Sequence, residues 1–243
     1  MKKLYLVLLV CILSFGLSTP AFAQFINGGF EDGNFTGWTQ NGGRYNWGGT
    51  YSYSGDPGRS AIVGAGTDPY TGGNLSTVYS GNYSARINNY DNRYHFSTIT
   101  QDTVWNDSNI YFAWAAVIQD PGHIYPGHMR VTLNNLTDST SLYDFQIDYY
   151  NQSGATWHTY NDWGYTDWNV VQLDTSAHLG DTLRLSILAS DCGAGGHGGY
   201  AYLDGFGAVA PPQGDDNPVP EPMTMLLFGP ALLGLVGLKR RKA

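Results

Sequence analysis

TLRLSIL, residues 182–188, is the stretch that best defines the fold class of this chain. Leu183, Leu185 and Ile187 share one face of an extended strand, and the polar residues 182, 184 and 186 share the other. A period of two residues is typical of a β-strand that buries one side against a core. The stretch therefore predicts a half-buried strand over residues 182–189.

A second stretch, IYFAWAAVI at residues 110–118, is apolar on both faces. A central strand of a two-sheet sandwich has this composition because both of its faces are covered. Elsewhere, short β-branched or aromatic runs alternate with clusters of Gly, Asn, Asp and Ser, which favour turns. These runs predict further strands at residues 60–63, 75–80, 83–88, 95–101, 129–134, 142–149, 169–173 and 200–209.

About ten strands at this spacing, without a sustained 3.6-residue apolar period, predict an all-β domain. We expect a two-sheet antiparallel β-sandwich of the jelly-roll type over residues 24–210. This region holds six arginines, no lysine and seventeen carboxylates. An acidic surface without lysine lacks the basic footprint that nucleic-acid binding needs, so we exclude nucleic acid as a partner.

Both ends of the chain have the composition of targeting segments. Two lysines precede an apolar stretch, and Ala21 and Ala23 supply small residues at the cleavage positions. This order predicts a secretory signal peptide over residues 1–23 that is cleaved after Ala23. Cleavage also removes Cys11, which leaves Cys192 as the only cysteine and excludes an intramolecular disulfide.

The tail, residues 219–243, combines three parts in a fixed order. A rigid polar motif of Val219, Pro220, Glu221 and Pro222 leads into an apolar run at residues 223–238, which ends at the cations Lys239, Arg240, Arg241 and Lys242. This order resembles the PEP-CTERM sorting signal, a bacterial C-terminal tag that is recognised by an exosortase, a membrane-embedded transpeptidase-like enzyme. The resemblance implies that an exosortase processes the chain.

The apolar run predicts a short transmembrane helix. At about 1.5 Å per residue it gives roughly 24 Å of helix, less than the hydrocarbon core of about 30 Å. By the positive-inside rule, the cations after it place the C-terminus in the cytoplasm and the domain on the other side of the inner membrane. We expect transient anchoring followed by processing, and a plain membrane anchor is the alternative. Residues 211–218 predict a disordered linker.

Three parts of the domain resemble the galactose-binding-like jelly rolls of carbohydrate-binding modules. They are NGGFE with a following Gly-Trp (27–38), GNYSARI (81–87), and the closing segments at 168–173, 180–185 and 200–204. The match covers both ends of the domain, whereas residues 42–74 and 119–165 match little. The resemblance implies the same sandwich fold.

The resemblance also implies a structural Ca²⁺, which the family often holds with the Glu of the first strand and the Asp near the last. The corresponding residues are Glu31 and Asp204, and carboxylates are the hard oxygen ligands that Ca²⁺ prefers. Gly205 stands where many relatives carry a second Asp, and it offers only its carbonyl. The alternative is that both carboxylates are solvated residues at strand ends.

Aromatic residues are dense at 38–53 and 149–168, where they alternate with polar residues. Aromatic faces stack on the CH groups of sugars while polar neighbours bond the hydroxyls. We assign Trp38 and Trp168 to packing. The carbohydrate-contact candidates are the aromatics with loop-like surroundings: Trp47, Tyr51, Tyr53, Trp157 and Trp163. The alternative is that these rings are core or cross-strand pairs.

Signals for catalysis are weak. No motif pairs two carboxylates as a glycosidase needs. His123 and His128 lie five residues apart in a Pro- and Gly-rich loop, which lacks the shared helix face of a zinc motif. Cys192 and His197 suggest a thiol nucleophile with its base, but the glycines between them favour a structural turn. We predict no catalytic residue.

These observations favour an exported, non-enzymatic protein of the cell surface or extracellular matrix. It would bind exopolysaccharide or cell-surface glycans, for example in a biofilm. A secreted polysaccharide hydrolase with unassigned Asp residues is one alternative, and a purely structural module is the other.

Overall fold

The computed structural model describes residues 25–55 and 58–212, which form an all-β sandwich of two sheets. The described residues belong to one compact unit. Two 3₁₀ turns, Pro69–Thr71 and Ser176–His178, complete the regular structure described. The strands are β1 (Thr39–Asn46), β2 (Thr50–Tyr53), β3 (Ala61–Gly64), β4 (Tyr83–Ile87), β5 (His95–Val104), β6 (Asn109–Gln119), β7 (His128–Asn135), β8 (Thr140–Asp148), β9 (Trp157–Tyr160), β10 (Trp163–Thr166), β11 (Asn169–Asp174), β12 (Thr182–Ser190) and β13 (Gly199–Gly207).

The first sheet has the strand order β2-β1-β5-β12-β7-β8. The second sheet has the order β3-β4-β13-β6-β10-β9, and β11 also pairs with β6. The pairings are antiparallel. The chain passes between the sheets from β5 to β6 to β7 and again from β11 to β12 to β13, which is jelly-roll connectivity. The predicted fold class is confirmed.

Strand β6 runs through the middle of the second sheet and is covered on both faces, as its composition predicts. Phe112, Trp114 and Ile118 belong to the main core between the sheets, whereas Ala115 and Val117 belong to a second cluster on the outer face. The alternation predicted for residues 182–189 is present in β12, whose inner leucines and isoleucine are fully buried. Each such side chain contributes about 1.5–3 kcal/mol by its burial.

The outer face of the second sheet is covered by residues 65–80, which we call the covering loop. Its Leu75 is buried against Trp163, Tyr200 and Tyr202 of that sheet. The loop is closed by a hydrogen bond from the amide of Asp68 to the carbonyl of Leu75, at 2.9 Å. The outer face of the first sheet carries the groove described below.

The strand predictions were wrong in two ways: four strands were missed, and one predicted strand is absent. Strands β1, β2, β9 and β10 were not predicted, and β1 reads TQNGGRYN, whose Gly and Asn normally favour turns. Pairing with both β2 and β5 overrides that local preference. Residues 75–80 were predicted as a strand, yet they belong to the covering loop, which has one isolated bridge between Thr67 and Ser76.

The predicted targeting segments lie outside the described residues. These are the signal peptide with Ala21 and Ala23, the linker beyond residue 212, the motif at 219–222, the apolar run at 223–238 and the basic tail at 239–242. Within residues 25–55 and 58–212, no helix has the length and apolar character that crossing a bilayer requires.

Candidate functional site

An aromatic wall lies on the outer face of the first sheet at the β1–β2 hairpin. Tyr45 pairs with Tyr51 and Gly43 with Tyr53, so the two-residue period puts the three tyrosines on one face. The rings of Tyr45 and Tyr51 stack with centroids 5.1 Å apart, and Phe96 packs edge-on against Tyr51 and Tyr53. Because Tyr53 is 61% exposed, part of its ring is accessible to a ligand.

A groove with a volume of about 370 Å³ lies beside the aromatic wall. Its uncharged polar lining comes from β1, β5, β7 and β12: Thr39, Asn41, Thr98, Thr100, Thr132 and Ser186. Arg130 of β7 is its charged lining residue. Ser186 is paired with Thr100 on one side and with Thr132 on the other, so these hydroxyls form a row across three strands. The groove therefore combines an aromatic side with a floor of neutral donors and acceptors.

The charged groups around the groove are paired with one another. Arg130 donates from Nε and Nη2 to the two carboxylate oxygens of Asp144, at 2.8 and 2.5 Å. Arg184 makes the same two-bond contact with Asp102, at 2.7 and 2.6 Å. The hydrogen bond from Arg130 lowers the pKa of Asp144, so this pair stays ionised. Paired charges leave a surface suited to an uncharged polar ligand.

His128 supports the aromatic wall from beneath. It is buried, and its Nδ1 lies 3.0 Å from the Ser190 hydroxyl and 3.4 Å from the Pro126 carbonyl. Burial lowers the pKa of His128 from 6.5 to about 4, so the ring is neutral at pH 7. A carbonyl cannot donate, so the contact with Pro126 assigns the proton to Nδ1, and Nε2 accepts from the Tyr51 hydroxyl.

Only two of the five carbohydrate-contact candidates line the groove. Tyr51 and Tyr53 do so from β2. Trp47 lies at the tip of the β1–β2 hairpin, where it is 62% exposed and packs against Tyr125. Trp157 is half-buried against the main core on β9.

Trp163 corrects the expectation that these aromatics have loop-like exposure. It lies on β10, is 6% exposed and packs against Tyr70 of the covering loop with ring centroids 4.5 Å apart. Its neighbours are core aromatics because the covering loop buries this face of the second sheet. Its ring is therefore not available for stacking on a sugar.

Glu31 and Asp204 hold one segment of the chain from two sides. The carboxylate of Asp204 accepts hydrogen bonds from the amides of Tyr79 and Ser80, at 3.1 and 2.9 Å. The carboxylate of Glu31 accepts from the amides of Asn82 and Tyr83, at 3.0 to 3.1 Å. Both carboxylates thus face residues 79–83, where the covering loop ends and β4 begins.

The Glu31–Asp204 pair fits a hard cation in charge and ligand type. Asp204 is buried, and its pKa is raised to about 8. Burial is the main cause, the backbone amide donors oppose it, and the negative charge of Glu31 adds to it. A buried carboxylate near a second one is stabilised by either a proton or a cation. Two carboxylates are fewer than the six to eight oxygens that Ca²⁺ takes, so carbonyls and water would supply the others.

His123 and His128, five residues apart in one predicted loop, lie in different surroundings. His128 is buried under the aromatic wall, whereas His123 lies with Cys192 and His197 near Trp47, at the tip of the β1–β2 hairpin. Burial raises the pKa of the Cys192 thiol, which is opposite to what a thiol nucleophile needs. The arrangement therefore gives no support to a cysteine nucleophile.

The sequence did not identify several groove residues. Tyr45 was noted among the aromatics but was not chosen, and Phe96 and the threonines of β5 were read only as part of a strand. The two-residue spacing of Phe96, Thr98 and Thr100 is the sequence signal that they share one face of β5. The sequence alone does not say which sheet face remains open.

No protein-family model and no curated protein matches this sequence. Among solved structures, TmCBM61 in complex with β-1,4-galactotriose is similar at 11% identity and a TM-score of 0.45, over 76% of this chain and 96% of that one. Caldicellulosiruptor saccharolyticus CBM27-1 in complex with mannohexaose is similar at 12% identity and a TM-score of 0.41, over 77% and 97%. Likenesses at such low identity and TM-score carry no argument about what this chain binds.

Proposed function

We propose that this protein is an exported, non-enzymatic protein of the cell surface or extracellular matrix that binds a neutral glycan in the groove of its first sheet. The observation that carries the proposal is the exposed Tyr53 ring beside a row of hydroxyl side chains. In this arrangement an aromatic face stacks on the CH groups of a sugar while neutral donors and acceptors bond its hydroxyls. Exopolysaccharide and cell-surface glycans are the ligands of this kind outside a bacterial cell.

The groove is lined by side chains from five strands, β1, β2, β5, β7 and β12, so a ligand that fills it contacts several strands at once. Tyr53 would stack on such a ligand, and Arg130, held in place by Asp144, would donate to it. Direct bonds to neutral hydroxyls predict binding that depends little on salt.

Replacing Tyr53 with alanine tests the groove. We expect Tyr53→Ala to weaken binding to the host's own exopolysaccharide by on the order of 10-fold, because one stacking face is lost. Isothermal titration calorimetry or affinity electrophoresis measures the change. Tyr150→Ala is the matched control, since Tyr150 is 58% exposed but does not line the groove.

Three outcomes would contradict the proposal. Equal binding by wild type and Tyr53→Ala would show that the groove is not the glycan site. Sugar released during the titration would favour the polysaccharide hydrolase, and absence of binding to any glycan would favour the purely structural module.

We propose that the ends of the chain direct export and sorting. The order of motif, apolar run and cations in residues 219–243 supports recognition by an exosortase, with Val219 to Pro222 as the processing motif. The protein would be anchored in the inner membrane transiently, with a cytoplasmic C-terminus. Mature protein from the native host should then lack Lys239, Arg240, Arg241 and Lys242. An intact mass that retains these residues would support a plain membrane anchor.

We propose a structural Ca²⁺ at Glu31 and Asp204. A ligand that binds only the folded state stabilises it by about 2.7 kcal/mol at 100 times its dissociation constant. Chelator should therefore lower the melting temperature of the wild-type protein by several degrees, and added Ca²⁺ should restore it. Glu31→Gln should remove the response, whereas Asp32→Asn, at the neighbouring exposed carboxylate, should keep it. An unchanged wild-type melting temperature in chelator would exclude the site.

A further inference from the structure

Three side chains with metal-binding groups meet where two loops cross, away from the groove and from Glu31 and Asp204. His123 comes from the loop between β6 and β7, and Cys192 and His197 come from the loop between β12 and β13. The Sγ atom of Cys192 lies 3.5 Å from Nδ1 of His197 and 3.8 Å from Nε2 of His123. The three ligand atoms all lie within 4.8 Å of one another.

These separations are close to those of a tetrahedral zinc site. Zinc–sulfur and zinc–nitrogen bonds of about 2.3 and 2.0–2.1 Å, at a tetrahedral angle, put sulfur and nitrogen roughly 3.6 Å apart. Both sulfur–nitrogen distances in the cluster agree with this value within about 0.2 Å. The two imidazole rings have centroids 5.1 Å apart, and metal binding would turn them so that a nitrogen of each faces the ion.

The backbone fixes the positions of the three residues. The amide of Cys192 donates to the carbonyl of His197 at 3.0 Å, so the loop closes on itself. The amide of Gly193 donates to the carbonyl of Tyr125 at 2.9 Å, which ties this loop to the loop of His123. Gly195 has a φ of 79°, a conformation that glycine adopts without strain. The cluster is therefore held together by contacts that need no ion.

The chemistry of the three groups narrows the class of ion. A thiolate and two imidazoles are soft or borderline ligands that suit Zn²⁺ and disfavour Ca²⁺ and Mg²⁺. Three protein ligands leave the fourth tetrahedral position to water or to an external ligand.

We infer that His123, Cys192 and His197 bind one Zn²⁺-class ion, a site that is independent of the proposed glycan binding. The exposed Trp47 lies beside it, with its ring centroid 6.5 Å from that of His123. Bound metal would cross-link the two loops beside the hairpin that carries the aromatic wall.

Co²⁺ is the probe for this site, because a tetrahedral thiolate–cobalt complex has a sulfur-to-metal charge-transfer band. The full chain, purified in a mild nonionic detergent and stripped of metal, should bind one Co²⁺ with that band. Zn²⁺ should displace it, and Ca²⁺ should not. Cys192→Ser should abolish the band, and His197→Gln should weaken Co²⁺ binding at least 10-fold. Melting curves of each variant check that it folds.

Two matched variants should behave as wild type. Cys11→Ser removes the other cysteine of the chain, and His158→Gln removes an exposed histidine that pairs with Asp167 outside the cluster. A charge-transfer band that persists in Cys192→Ser, or that is lost in Cys11→Ser, would overturn the assignment. A wild-type chain without the band would overturn it as well.

Discussion

Replacing Asp68 with alanine should lower the free energy of unfolding by about 3–5 kcal/mol. The buried carboxylate of Asp68 accepts hydrogen bonds from the hydroxyls of Tyr200 and Tyr202, at 2.6 and 2.7 Å. Each buried donor that loses its acceptor costs about 1–3 kcal/mol. The amide of Tyr70 also donates to this carboxylate, at 2.8 Å, so Asp68 both orders the covering loop and bonds it to the second sheet.

Urea unfolding with linear extrapolation measures the change. Asp174→Ala is the matched control, because the exposed Asp174 carboxylate accepts a hydrogen bond from the amide of Ser176 at 2.9 Å and contacts no buried tyrosine. The control should lose about 1 kcal/mol or less. If Asp68→Ala lost no more than the control, the covering loop would not depend on this network.

The second large effect is the acid sensitivity of His128. Its pKa is about 4 in the folded protein and about 6.5 in the unfolded chain. Between these values the unfolded chain binds a proton that the folded protein does not, so stability falls as the pH falls through this range. The full contribution is roughly 3 kcal/mol, at about 1.36 kcal/mol per pKa unit.

His128→Gln isolates this effect, since glutamine offers hydrogen bonds to Tyr51 and Ser190 but does not titrate. The stability of wild type relative to this variant should fall by roughly 3 kcal/mol from pH 7 to pH 4. Burial raises the pKa of Asp191 to about 7 and of Asp204 to about 8, which acts with the opposite sign. The contributions of Asp191 and Asp204 cancel in the stability difference between wild type and His128→Gln, because both proteins contain these carboxyls. A constant difference across this range would show that His128 is accessible to protons in the folded state.

The strands with the clearest periodicity were predicted correctly, for a physical reason. In β12 and β6 the pattern of apolar residues in the sequence matches the burial in the structure. One face of β12 and both faces of β6 are buried, and the apolar residues stand at those positions. In β1 the local pattern and the structure disagree, since Gly43 pairs with Tyr53 in a strand although glycine normally favours a turn. A side chain at Gly43 would collide with the Ser52 carbonyl, which explains glycine at this position.

The candidate sites were predicted only in part because they depend on tertiary structure. Tyr51 and Tyr53 were chosen for their loop-like surroundings, but they lie in β2, and the pairing of that strand brings them to the groove. Trp163 was misjudged because no local pattern reveals that the covering loop buries its face. Likewise, the sequence separates His123 from Cys192 by almost seventy residues, and only the crossing of two loops brings them together.

The amide of Phe206, near the end of β13, donates to the carbonyl of Gly28 at 3.0 Å. Phe25 packs against the same Phe206 ring, with centroids 6.1 Å apart. The chain thus enters and leaves the sandwich at one place. Domains with adjacent ends tolerate circular permutation and insertion into other chains. A short peptide joining residues 25 and 207 would allow new termini in the exposed turn at 136–139, between β7 and β8. The permuted domain, with its groove, could then be inserted into another protein through that turn.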